Sequence, residues 1–524
     1  MLGKTCYITQ GSLIRFSYIP LLINIFIVQL LFTAPGYGSN SLDQTGTQWS
    51  PYLEWSLSNS SYDGNPYDLP ATVVFIHPSG KTITTGMFYA KNDTWKFRFT
   101  GVKTGKWSLT TKSDDPDLDG KTGIVTIKPN PDSKTHGFIT NFGEKWGWMG
   151  VDKAFIPQLA MYDNPPDFYQ KPQKIERDIQ TFMVEHGFNG FHTMVFSRWF
   201  DINQDRTSGI KEKDPNPDPR TFKALELLIT KTHAAGGMVH LWAWGDESRK
   251  MTPITWGKNG KVDQRLQRYI AARLGPIPGW SMGYGFDLFE WVVEKDLKDW
   301  RSYMHQHLGW FHFLGGRSGG PRHGTDHSKQ QIYQGLDYSA YEHHRPTYEV
   351  YVAAIEALPG KPSFSEDRFR IRRPSKYPKK DYDEKLSRKG LWHSAIAGGV
   401  ANIWGNLINA PSVASVEYQN KHWIKTYSRF FENRFLKEMI RDNAISNGLV
   451  LRQPDYSHFI FFKENTKSIH LDLSRTKKPL PVIAVDAKKK YTEIDLGLLK
   501  AENQDWQAPY KSDWAIAVGN YNIN

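Results

Sequence analysis

Cysteine is almost absent from this sequence of 524 residues, since Cys6 is the only one. Cys6 lies in an N-terminal segment that has the pattern of a secretory signal, so an exported chain would keep no cysteine after cleavage. This scarcity excludes a disulfide framework, a thiol nucleophile and a zinc site built on cysteine.

Long apolar runs are lacking as well. The run from Ile19 to Phe32 is interrupted by Pro20 and Asn24, whereas a membrane-spanning helix needs about 20 apolar residues. Basic residues precede this run and the small-residue stretch Ala34–Gly38 follows it, which is typical of a signal peptide. We therefore expect residues 1–39 to be a signal peptide, the protein to be secreted or periplasmic and of bacterial origin, and no stable membrane insertion.

Motifs for nucleotides and metals are also missing. No Gly-rich phosphate fingerprint follows a predicted strand, and no histidine pair at i, i+4 carries the following glutamate that is expected of a zinc hydrolase helix. His305 and His307 are two residues apart on a predicted helix, so their side chains point in different directions. We therefore predict no cofactor and no catalytic metal.

Positive charge is in excess. The sequence has 66 Lys and Arg against 54 Asp and Glu, a formal net charge of +12, which favours an anionic partner. Export and the lack of a recognition motif argue against nucleic acid. The sequence leaves the oligomeric state open.

Three sections of the sequence show three different patterns. Between residues 49 and 127, strand-like runs such as Thr72–Ile76 and Trp95–Phe99 alternate with turn clusters such as Gly64–Pro66, which predicts an antiparallel β-sandwich. From residue 443 onward the alternation returns, for example over Phe459–Phe462 and Trp514–Val518, and predicts a second, smaller β domain.

The middle section, residues 153–407, alternates short apolar runs with helical patterns, as βα units do. The candidate strands are Ala154–Leu159, Gly190–Phe196, Met238–Trp244, Trp280–Phe286, Phe311–Gly315, Gln331–Leu336, Pro362–Ser365 and Ala401–Gly405. The candidate helices are Lys174–His186, Arg220–Ala235, Val262–Leu274, Glu294–His307 and Thr347–Leu358. Eight such units in about 250 residues match the size of a closed barrel.

The fold class that follows is a multidomain chain with a (β/α)8 TIM barrel flanked by N-terminal and C-terminal antiparallel β-sandwich domains. We place the N-terminal β-sandwich at residues 40–135, the barrel at 136–440 and the C-terminal β-sandwich at 441–524.

Carboxylates follow two of the candidate strands, at the face where barrels of this type carry their active sites. Glu366 ends the seventh strand, and Asp287 and Glu290 follow the fourth among aromatic residues. Two carboxyl groups about 5 to 5.5 Å apart across a sugar would support retaining hydrolysis, with one ionised and the other kept protonated by an apolar setting. At most one of Asp287 and Glu290 is catalytic, and the residues do not decide which.

Other side chains at strand ends could bind a sugar by stacking on its rings or gripping its hydroxyl groups. These candidates are His192, Arg198, Trp199, Trp244, Asp246, Glu247, Arg317, Asp337, Tyr338, His343 and Arg368. We further expect Tyr338 to hydrogen-bond Glu366. From Arg368 to Lys389 there are ten basic and three acidic residues, which either contact sulfate or carboxylate groups of a substrate or form a solvated loop.

A family resemblance adds to this interpretation. The N-terminal section resembles the uncharacterised β-sandwich module that precedes glycoside hydrolase barrels of clan A, over Asn65–Asp68, Phe75–Gly80, Gly86–Tyr89, Phe97–Phe99, Gly105–Trp107 and His136–Gly137. The barrel resembles the same group, including apiosidase-like enzymes, over Gly150–Leu159, Lys361–Glu366 and Leu391–Gly399. The last section is similar to the short C-terminal β-sandwich of these proteins.

The resemblance implies that Glu366 is the nucleophile and that the region of Asp287 carries the acid/base. Where the family has Asn-Glu after the fourth strand, this sequence has Phe286-Asp287, so Asp287 matches by position and Glu290 by residue type.

We expect an exported glycoside hydrolase, retaining, that acts on an anionic polysaccharide such as a sulfated algal galactan. The alternatives are a non-catalytic carbohydrate-binding protein on a degenerate barrel and a polysaccharide lyase.

Overall fold

Five β-sheets and eight α-helices make up the part of the protein that the computed structural model describes, namely residues 42–50, 52–132, 135–205, 209–245, 254–317, 333–373, 375, 377–408 and 416–521. Leu42–Asn524 form one compact unit. No helix within these ranges combines the length and the apolar character needed to cross a bilayer.

The N-terminal part is a β-sandwich of a five-stranded sheet, in the order β1-β8-β7-β3-β4, and a three-stranded sheet, β2-β6-β5. Its strands are β1 (Gln44–Thr47), β2 (Leu53–Ser58), β3 (Ala71–Ile76), β4 (Thr82–Gly86), β5 (Phe88–Tyr89), β6 (Thr94–Phe99), β7 (Gly105–Ser113) and β8 (Thr122–Lys128). Alternate residues of β3 point inward, so Val73 and Phe75 are fully buried with Phe97 and Trp107 between the sheets.

A small antiparallel sheet connects the sandwich to the barrel. It consists of β9 (Ile139–Phe142), β10 (Lys145–Trp148) and β11 (Val151–Phe155). The indole of Trp146 is buried and donates a hydrogen bond of 3.0 Å to the carbonyl of Ser363, at the start of a barrel strand. This sheet therefore closes the amino-terminal end of the barrel.

The barrel is formed by eight parallel strands and is nearly closed. They are β12 (Gln158–Met161), β13 (Gly190–Met194), β14 (Met238–Trp244), β15 (Trp280–Gly285), β16 (Leu314–Gly315), β17 (Ser339–Tyr341), β18 (Ser363–Arg373) and β19 (Ala401–Ile408). Every neighbouring pair is hydrogen-bonded except β16 and β17. At that gap the amide of Asp337 donates to the carbonyl of Leu314 (3.0 Å) on the amino-terminal side.

Helices cover the outside of the barrel. They are α1 (Pro165–Gln170), α2 (Gln173–Asp178), a π-helical continuation (Ile179–His186), α3 (Pro219–Ala234), α4 (Lys261–Leu274), α5 (Glu294–His307), α6 (Tyr348–Glu356), α7 (Glu384–Ile396) and α8 (Lys421–Phe431), with single 3₁₀ turns at Phe196–Trp199, Leu288–Glu290 and Asn443–Ile445. The predicted helices lie within two residues of the observed ones at every end. The fold class expected from the sequence, a TIM barrel between antiparallel β domains, is confirmed.

Several predicted strands differ from the structure at one end: Phe311–Gly315 begins three residues before β16, and Pro362–Ser365 stops eight residues before the end of β18. Two others are misplaced. Ala154–Leu159 contains the end of β11 and the start of β12, with Ile156 and Pro157 between them. The predicted strand Gln331–Leu336 is wrong over its described part, since residues 333–336 form no strand. The sixth barrel strand is instead β17, a short segment of mostly small residues that pairs with Ser363–Ser365.

The C-terminal part is one six-stranded antiparallel sheet in the order β20-β21-β22-β25-β23-β24. Its strands are β20 (Ile440–Arg441), β21 (Leu449–Arg452), β22 (Phe459–Asp472), β23 (Leu480–Asp486), β24 (Ile494–Leu499) and β25 (Asn503–Val518). One face packs on the barrel helices, where Trp392 of α7 stacks on Phe462 with ring centroids 4.9 Å apart.

The N-terminal β-sandwich is held to the barrel by a buried ion cluster. Arg98 of β6 donates to Glu226 of α3 at 2.9 Å and to the carbonyl of Arg273 at 2.8 Å, and the Arg273 side chain donates to Glu226 at 2.6 Å. All three side chains are at most 10% exposed, so each charge depends on the others for stabilisation.

Candidate active site

Glu366 lies at an irregularity of β18. Ser365 pairs with Asn402 of β19 and Arg368 pairs with Ile403, so Glu366 and Asp367 fall between two paired positions. Such a bulge redirects side chains, and bulges are frequent beside active sites. Here it directs the Glu366 side chain into the barrel, where the residue is fully buried.

Residues of β14 and β15, and the tyrosine that precedes β17, surround the Glu366 carboxylate. The hydroxyl of Tyr338 donates a hydrogen bond to Oε1, as we expected from the sequence, and Nε2 of His240 on β14 lies 3.5 Å from the same atom. Gly283 of β15 leaves the space that Oε1 fills, because a Cβ at that position would lie 3.0 Å from it. Oε2 is buried without a hydrogen-bond partner among the described residues.

The His240 ring is itself held in place. Its Nδ1 lies 2.9 Å from the hydroxyl oxygen of Ser281 on β15, and the ring packs edge-on against Phe364. On the other side it stacks with His192 of β13 at a centroid distance of 5.5 Å. Burial holds the pKa of His192 well below its usual value, with His240 and Arg368 adding to the effect. His192 is therefore a neutral ring beside the Glu366 pocket.

Arg317 joins four strand ends at the carboxyl-terminal face of the barrel. It follows β16 and is buried, and its Nη1 donates to the carbonyl of Glu366 at 3.2 Å. Its Nη2 lies 2.9 Å from Oδ1 of Asp287, which follows β15, and 3.0 Å from Oε2 of Glu342, which follows β17. Arg317 thus bridges the side of the barrel where β16 and β17 are not paired.

Glu342 belongs to a compact group of ionisable side chains with His344 and Asp367, whose ligating atoms lie within 4.8 Å of one another. Nδ1 of His344 is 2.6 Å from Oδ2 of Asp367, a hydrogen-bond distance. Tyr341, the residue before Glu342, pairs with Ser365, the residue before Glu366. These three residues are a candidate metal group by composition, but the Arg317 guanidinium beside Glu342 would repel a cation. Our sequence-based prediction of no catalytic metal stays a prediction.

The surroundings shift the pKa values of these carboxyl groups in opposite directions. Burial raises the pKa of Glu342, and the nearby Asp367 and Asp287 raise it further against the effect of Arg317. Burial alone would also raise the pKa of Asp367, but the hydrogen bond and charge of His344, with Arg317, lower it. Divergent pKa values within one group of carboxylates are the pattern that acid–base catalysis requires.

Aromatic rings and arginines form a layer next to Glu366. Trp242 of β14 is fully buried and contacts Phe286 at a centroid distance of 5.1 Å. The guanidinium groups of Arg317 and Arg368 lie 5.4 and 5.2 Å from the Trp242 ring centroid. Asp287, the next residue after Phe286, has a φ of 51°. This left-handed backbone conformation is higher in energy for a residue with a side chain than for glycine.

The basic segment after Glu366 is part strand and part helix. Arg368, Arg370 and Arg372 alternate along β18 with the buried Phe369 and Ile371, so the three arginines share one face. Further along the segment, several charges are paired with acids: Arg372 with Asp381 (2.7 Å), Arg388 with Asp513 (2.8 Å) and Lys389 with Glu464 (3.1 Å).

Several predicted binding residues lie away from this group. Asp337 precedes β17, at the amino-terminal end, where its carboxylate accepts hydrogen bonds from Arg301, His305 and the Leu314 amide. Our placement of Asp337 after the sixth strand is therefore wrong, because that strand begins at Ser339. Trp199 donates to the carbonyl of Ala243 and packs on Phe222, between the barrel wall and α3.

The remaining predicted residues have various placements. Trp244 is buried and stacks with Phe200, Arg198 is buried in the 3₁₀ turn after β13, and Glu290 is exposed in the turn after Asp287. Nδ1 of His343 accepts a hydrogen bond of 3.2 Å from the backbone amide of Arg345. Asp246 and Glu247 lie outside the described residues.

Four residues of this group, Glu342, Asp367, His344 and His240, were not among the predicted site residues. The predicted sixth strand ends at Leu336, so the residues around the carboxyl end of β17 were not recognised as strand-end residues, apart from His343. His240 lies within a correctly predicted strand, where alternation with Val239 and Leu241 could have marked it as facing the barrel interior.

A separate cavity of about 460 Å³ lies beside the loops that follow β13 and β14. Residues 210–214 line one part of it, and Thr255, Trp256, Lys261 and Val262 line the rest. None of the residues around Arg317 contributes to it.

Comparison with known proteins gives one family match, to a domain of unknown function, DUF5060, over residues 45–114. This match lies within the N-terminal β-sandwich. None of the curated proteins matches the sequence.

Solved structures share the fold at low sequence identity. A "putative glycoside hydrolase" from Bacteroides vulgatus is 15% identical with a TM-score of 0.67, and the match covers 90% of this chain and 99% of that one. A family 5 glycoside hydrolase from the same species is 13% identical with a TM-score of 0.52, covering 74% of this chain and 94% of that one. Another structure named a glycoside hydrolase is 10% identical with a TM-score of 0.54, covering 75% of this chain and 98% of that one. The barrel with its flanking β domains is thus an architecture found in proteins named glycoside hydrolases.

Proposed function

We propose that this protein is an exported glycoside hydrolase of the retaining type, with its active site at the carboxyl ends of β15 to β18. The observation that carries the proposal is the guanidinium of Arg317, which holds the carboxylates of Asp287 and Glu342 next to the backbone of Glu366. Glycosidic bond hydrolysis needs such a group of carboxyl side chains at the active face of a barrel. The solved structures of similar fold support the same class of reaction.

Glu366 is the nucleophile in this proposal. It lies in the bulge of β18, and Tyr338 and His240 both approach Oε1, which leaves Oε2 as the oxygen that can attack a sugar. The proton donor is one of the carboxyl groups at Arg317. Of the two candidates from the sequence, Asp287 contacts Arg317, whereas Glu290 is exposed in the following turn.

The burial of Glu366 sets a condition on this proposal. Its side chain is 0% exposed next to Trp242 and the two arginines, so substrate contact requires these neighbours to move. The same observation favours a second candidate function, that of a carbohydrate-binding protein whose barrel no longer catalyses. The two candidates differ in whether Glu366 can be reached by a sugar.

An anionic polysaccharide, such as a sulfated galactan, is the proposed substrate. Arg368, Arg370 and Arg372 share one face of β18 immediately beyond Glu366. Guanidinium groups match the geometry of sulfate and carboxylate oxygens, so Arg368 and Arg370 suit a charged sugar chain, whereas Arg372 is already paired with Asp381.

The experiment is a screen of sulfated and uronate-containing polysaccharides with wild-type protein and Glu366→Gln, followed by product analysis. We expect the wild type to release new reducing ends and the variant, with an unchanged melting temperature, to release none. Glu356→Gln, which removes an exposed carboxylate on α6, is the matched control and keeps full activity.

Labelling distinguishes the two candidate functions. A 2-deoxy-2-fluoro glycoside with a dinitrophenolate leaving group is expected to modify Glu366, which a mass-spectrometric peptide map would detect. Binding of a polysaccharide without any hydrolysis, and without labelling, would instead support the binding protein. Unchanged turnover in Glu366→Gln would exclude Glu366 as the nucleophile.

A further inference from the structure

We infer that the cavity of about 460 Å³ beside the loops that follow β13 and β14 is a second saccharide site, which binds an anionic sugar residue of the substrate chain. This inference rests on the proposed function for the identity of its ligand. The observations that carry it are the mixed apolar and basic lining of the cavity and the buried ion pairs that hold its wall to the N-terminal β-sandwich.

Apolar side chains form one part of the lining. Trp256, Ile210 and Val262 face the cavity, and Trp256 is half-buried, with its ring edge-on to that of Phe200 at a centroid distance of 5.0 Å. A partly exposed indole that is held by a neighbouring ring suits contact with the apolar side of a pyranose ring. The volume of the cavity lies within the range of small-ligand sites, about 300 to 1,000 Å³.

Positive charge forms the other part. Three lysines and two acids line the cavity, and one of the acids, Asp214, already has the Arg265 guanidinium at 2.8 Å. Lys211 and Lys213 are exposed and form no ion pair with any described residue. Their ammonium groups are available to a sulfate or carboxylate substituent, so the cavity favours an anionic sugar over a neutral one.

A buried arginine fixes the wall that residues 210–214 form. Arg265 of α4 is fully buried, and its Nη1 donates to the carbonyl of Pro215 at 3.1 Å and contacts Asp214. Its Nε and Nη2 donate to the two carboxylate oxygens of Asp68, at 2.7 and 2.6 Å. A bidentate pair of this kind fixes geometry as well as charge. The wall is therefore in place before a ligand binds, which reduces the entropy lost on binding.

The N-terminal β-sandwich supplies this support. Asp68 lies in the loop between β2 and β3, and it also contacts Lys261 of the cavity lining at 3.2 Å. From the same loop, Nδ2 of Asn65 donates to Oδ1 of Asn216 at 3.0 Å, just beyond the wall. Both residues lie within the segment 45–114 that matches DUF5060. Support of a saccharide site on the barrel is thus a role for this module.

Strand β14 relates the cavity to the Glu366 site. Trp242 borders the Glu366 pocket, and Trp244, two residues further along the strand, stacks with Phe200 at a centroid distance of 6.5 Å. Phe200 in turn contacts Trp256 of the cavity. Since no residue around Arg317 lines the cavity, one sugar cannot occupy both places, and only a longer chain reaches from one to the other.

The test is isothermal titration of Glu366→Gln protein with three hexasaccharides. The probes come from carrageenan, a sulfated galactan, from alginate, a polyuronate, and from desulfated carrageenan, which is neutral. We expect one of the two anionic probes to bind and the neutral probe not to bind. In the same background, Trp256→Ala and the double change Lys211→Gln/Lys213→Gln should each weaken binding by about tenfold or more.

Matched controls come from the C-terminal sheet. Trp506→Ala removes a half-buried indole, and Lys477→Gln/Lys478→Gln removes two exposed ammonium groups. Both controls are expected to keep the affinity of the parent protein. The change of Lys211 and Lys213 alters exposed side chains only, so it tests the site if Trp256→Ala does not fold.

Kinetics provide a second measurement. We compare kcat/KM for the polysaccharide that the wild type hydrolyses with kcat/KM for the 4-nitrophenyl glycoside of its sugar, which is too short to reach the cavity. The ratio should fall by about tenfold in Trp256→Ala and in the double lysine variant, because only the long substrate gains from remote binding. Asp68→Asn, which weakens the hold of Arg265 on the wall, should lower the same ratio, whereas a general loss of folded protein would leave it unchanged.

The outcomes separate the inference from the proposed function. Hydrolysis of a polysaccharide with unchanged affinity and an unchanged ratio in both cavity variants would overturn the inference and leave the proposed function intact. Binding that depends on Trp256, without hydrolysis of any polysaccharide, would support the site and contradict the proposed function. Equal binding of carrageenan and its desulfated form would overturn the anionic ligand, and absence of both binding and hydrolysis would overturn both proposals.

Discussion

Tyr338 reaches the carboxylate of Glu366 from the opposite end of the neighbouring strand. Tyr338 comes immediately before β17, whereas Glu366 lies three residues past the start of β18, and the tyrosine hydroxyl donates to Oε1. The ring of Tyr338 fills the barrel interior between Trp146 and Phe364. The pocket of Glu366 is therefore built on the core of the barrel, which fixes the orientation of the carboxylate.

Removal of the Tyr338 hydroxyl is expected to impair catalysis without loss of the fold. Tyr338→Phe keeps the ring packing and deletes a hydrogen bond to a charged group, which is worth about 1.5 to 3 kcal/mol. We expect kcat/KM to fall by about 10- to 100-fold, as measured on the polysaccharide that the screen identifies. Tyr351→Phe is the control, because the hydroxyl of this buried tyrosine has no hydrogen-bond partner in the described structure. Equal activity in the two variants would contradict the role of Tyr338.

Gly283 is expected to control the position of Glu366. An alanine Cβ at residue 283 would lie 2.9 Å from Trp242 Cδ1 and 3.0 Å from Glu366 Oε1, so one of these side chains has to shift. We expect Gly283→Ala to lose about 10²-fold in kcat, since a displacement of about 1 Å has this effect. Gly86→Ala, where the nearest atom would be Ala272 Cβ at 3.4 Å, should leave kcat unchanged. A fully active Gly283→Ala would show that the Glu366 side chain does not need its present position.

The buried ion cluster between the β-sandwich and the barrel is expected to contribute strongly to stability. Glu226→Gln removes the one carboxylate that contacts both Arg98 and Arg273, and should lower the free energy of unfolding by about 3 kcal/mol. The matched change is Glu176→Gln, which breaks an exposed pair with Lys231 and should cost less than about 1 kcal/mol. Urea denaturation measures both. A similar, small effect of the two changes would refute the importance of the buried cluster.

Asp337 is expected to make stability depend on acid pH. Burial would raise its pKa, but hydrogen bonds and charges from His305 and Arg301 lower it below the usual value for aspartate. A lowered pKa in the folded state adds stability above the unfolded value, about 3.9, and that stability is lost as the pH falls through the folded pKa. Asp337→Asn should therefore lower the melting temperature at pH 7.

The difference in melting temperature between wild type and Asp337→Asn should shrink when the pH falls below about 4. Melting curves between pH 3 and pH 7 provide the measurement. A difference that stays constant over this range would show that the charge of Asp337 does not contribute.

Local pattern was sufficient to predict most of the barrel. The strand Met238–Trp244 and the helix Glu294–His307 match the structure exactly at both ends, because each has a clear apolar pattern bounded by polar residues or turns. The sequence pattern did not predict β17. Its three residues, Ser339–Tyr341, form a strand because they pair with β18, and they have no strong strand pattern of their own.

The composition of the site could be predicted only in part. The carboxylate of Glu366 follows from the predicted seventh strand, whereas the prediction of Tyr338 as its partner rests on a sixth strand that is wrongly placed and in fact begins after it, at Ser339. The link that Arg317 makes between Asp287 and Glu342 depends on the unpaired β16 and β17, and the bulge at Glu366 depends on the register with β19. Both features depend on how strands that are distant in sequence lie next to each other. The periodicity within one segment of the sequence does not indicate that arrangement.

The contact of Arg98 with Glu226 limits how this architecture can be rearranged in evolution. A β-sandwich transplanted from another protein would leave the Glu226 carboxylate and the Arg273 carbonyl without the Arg98 guanidinium that now donates to both. Recombination between distant homologues at the junction near residue 135 would thus be selected against, unless the incoming module supplied a cation at the same place. The two modules are expected to have diverged as a pair.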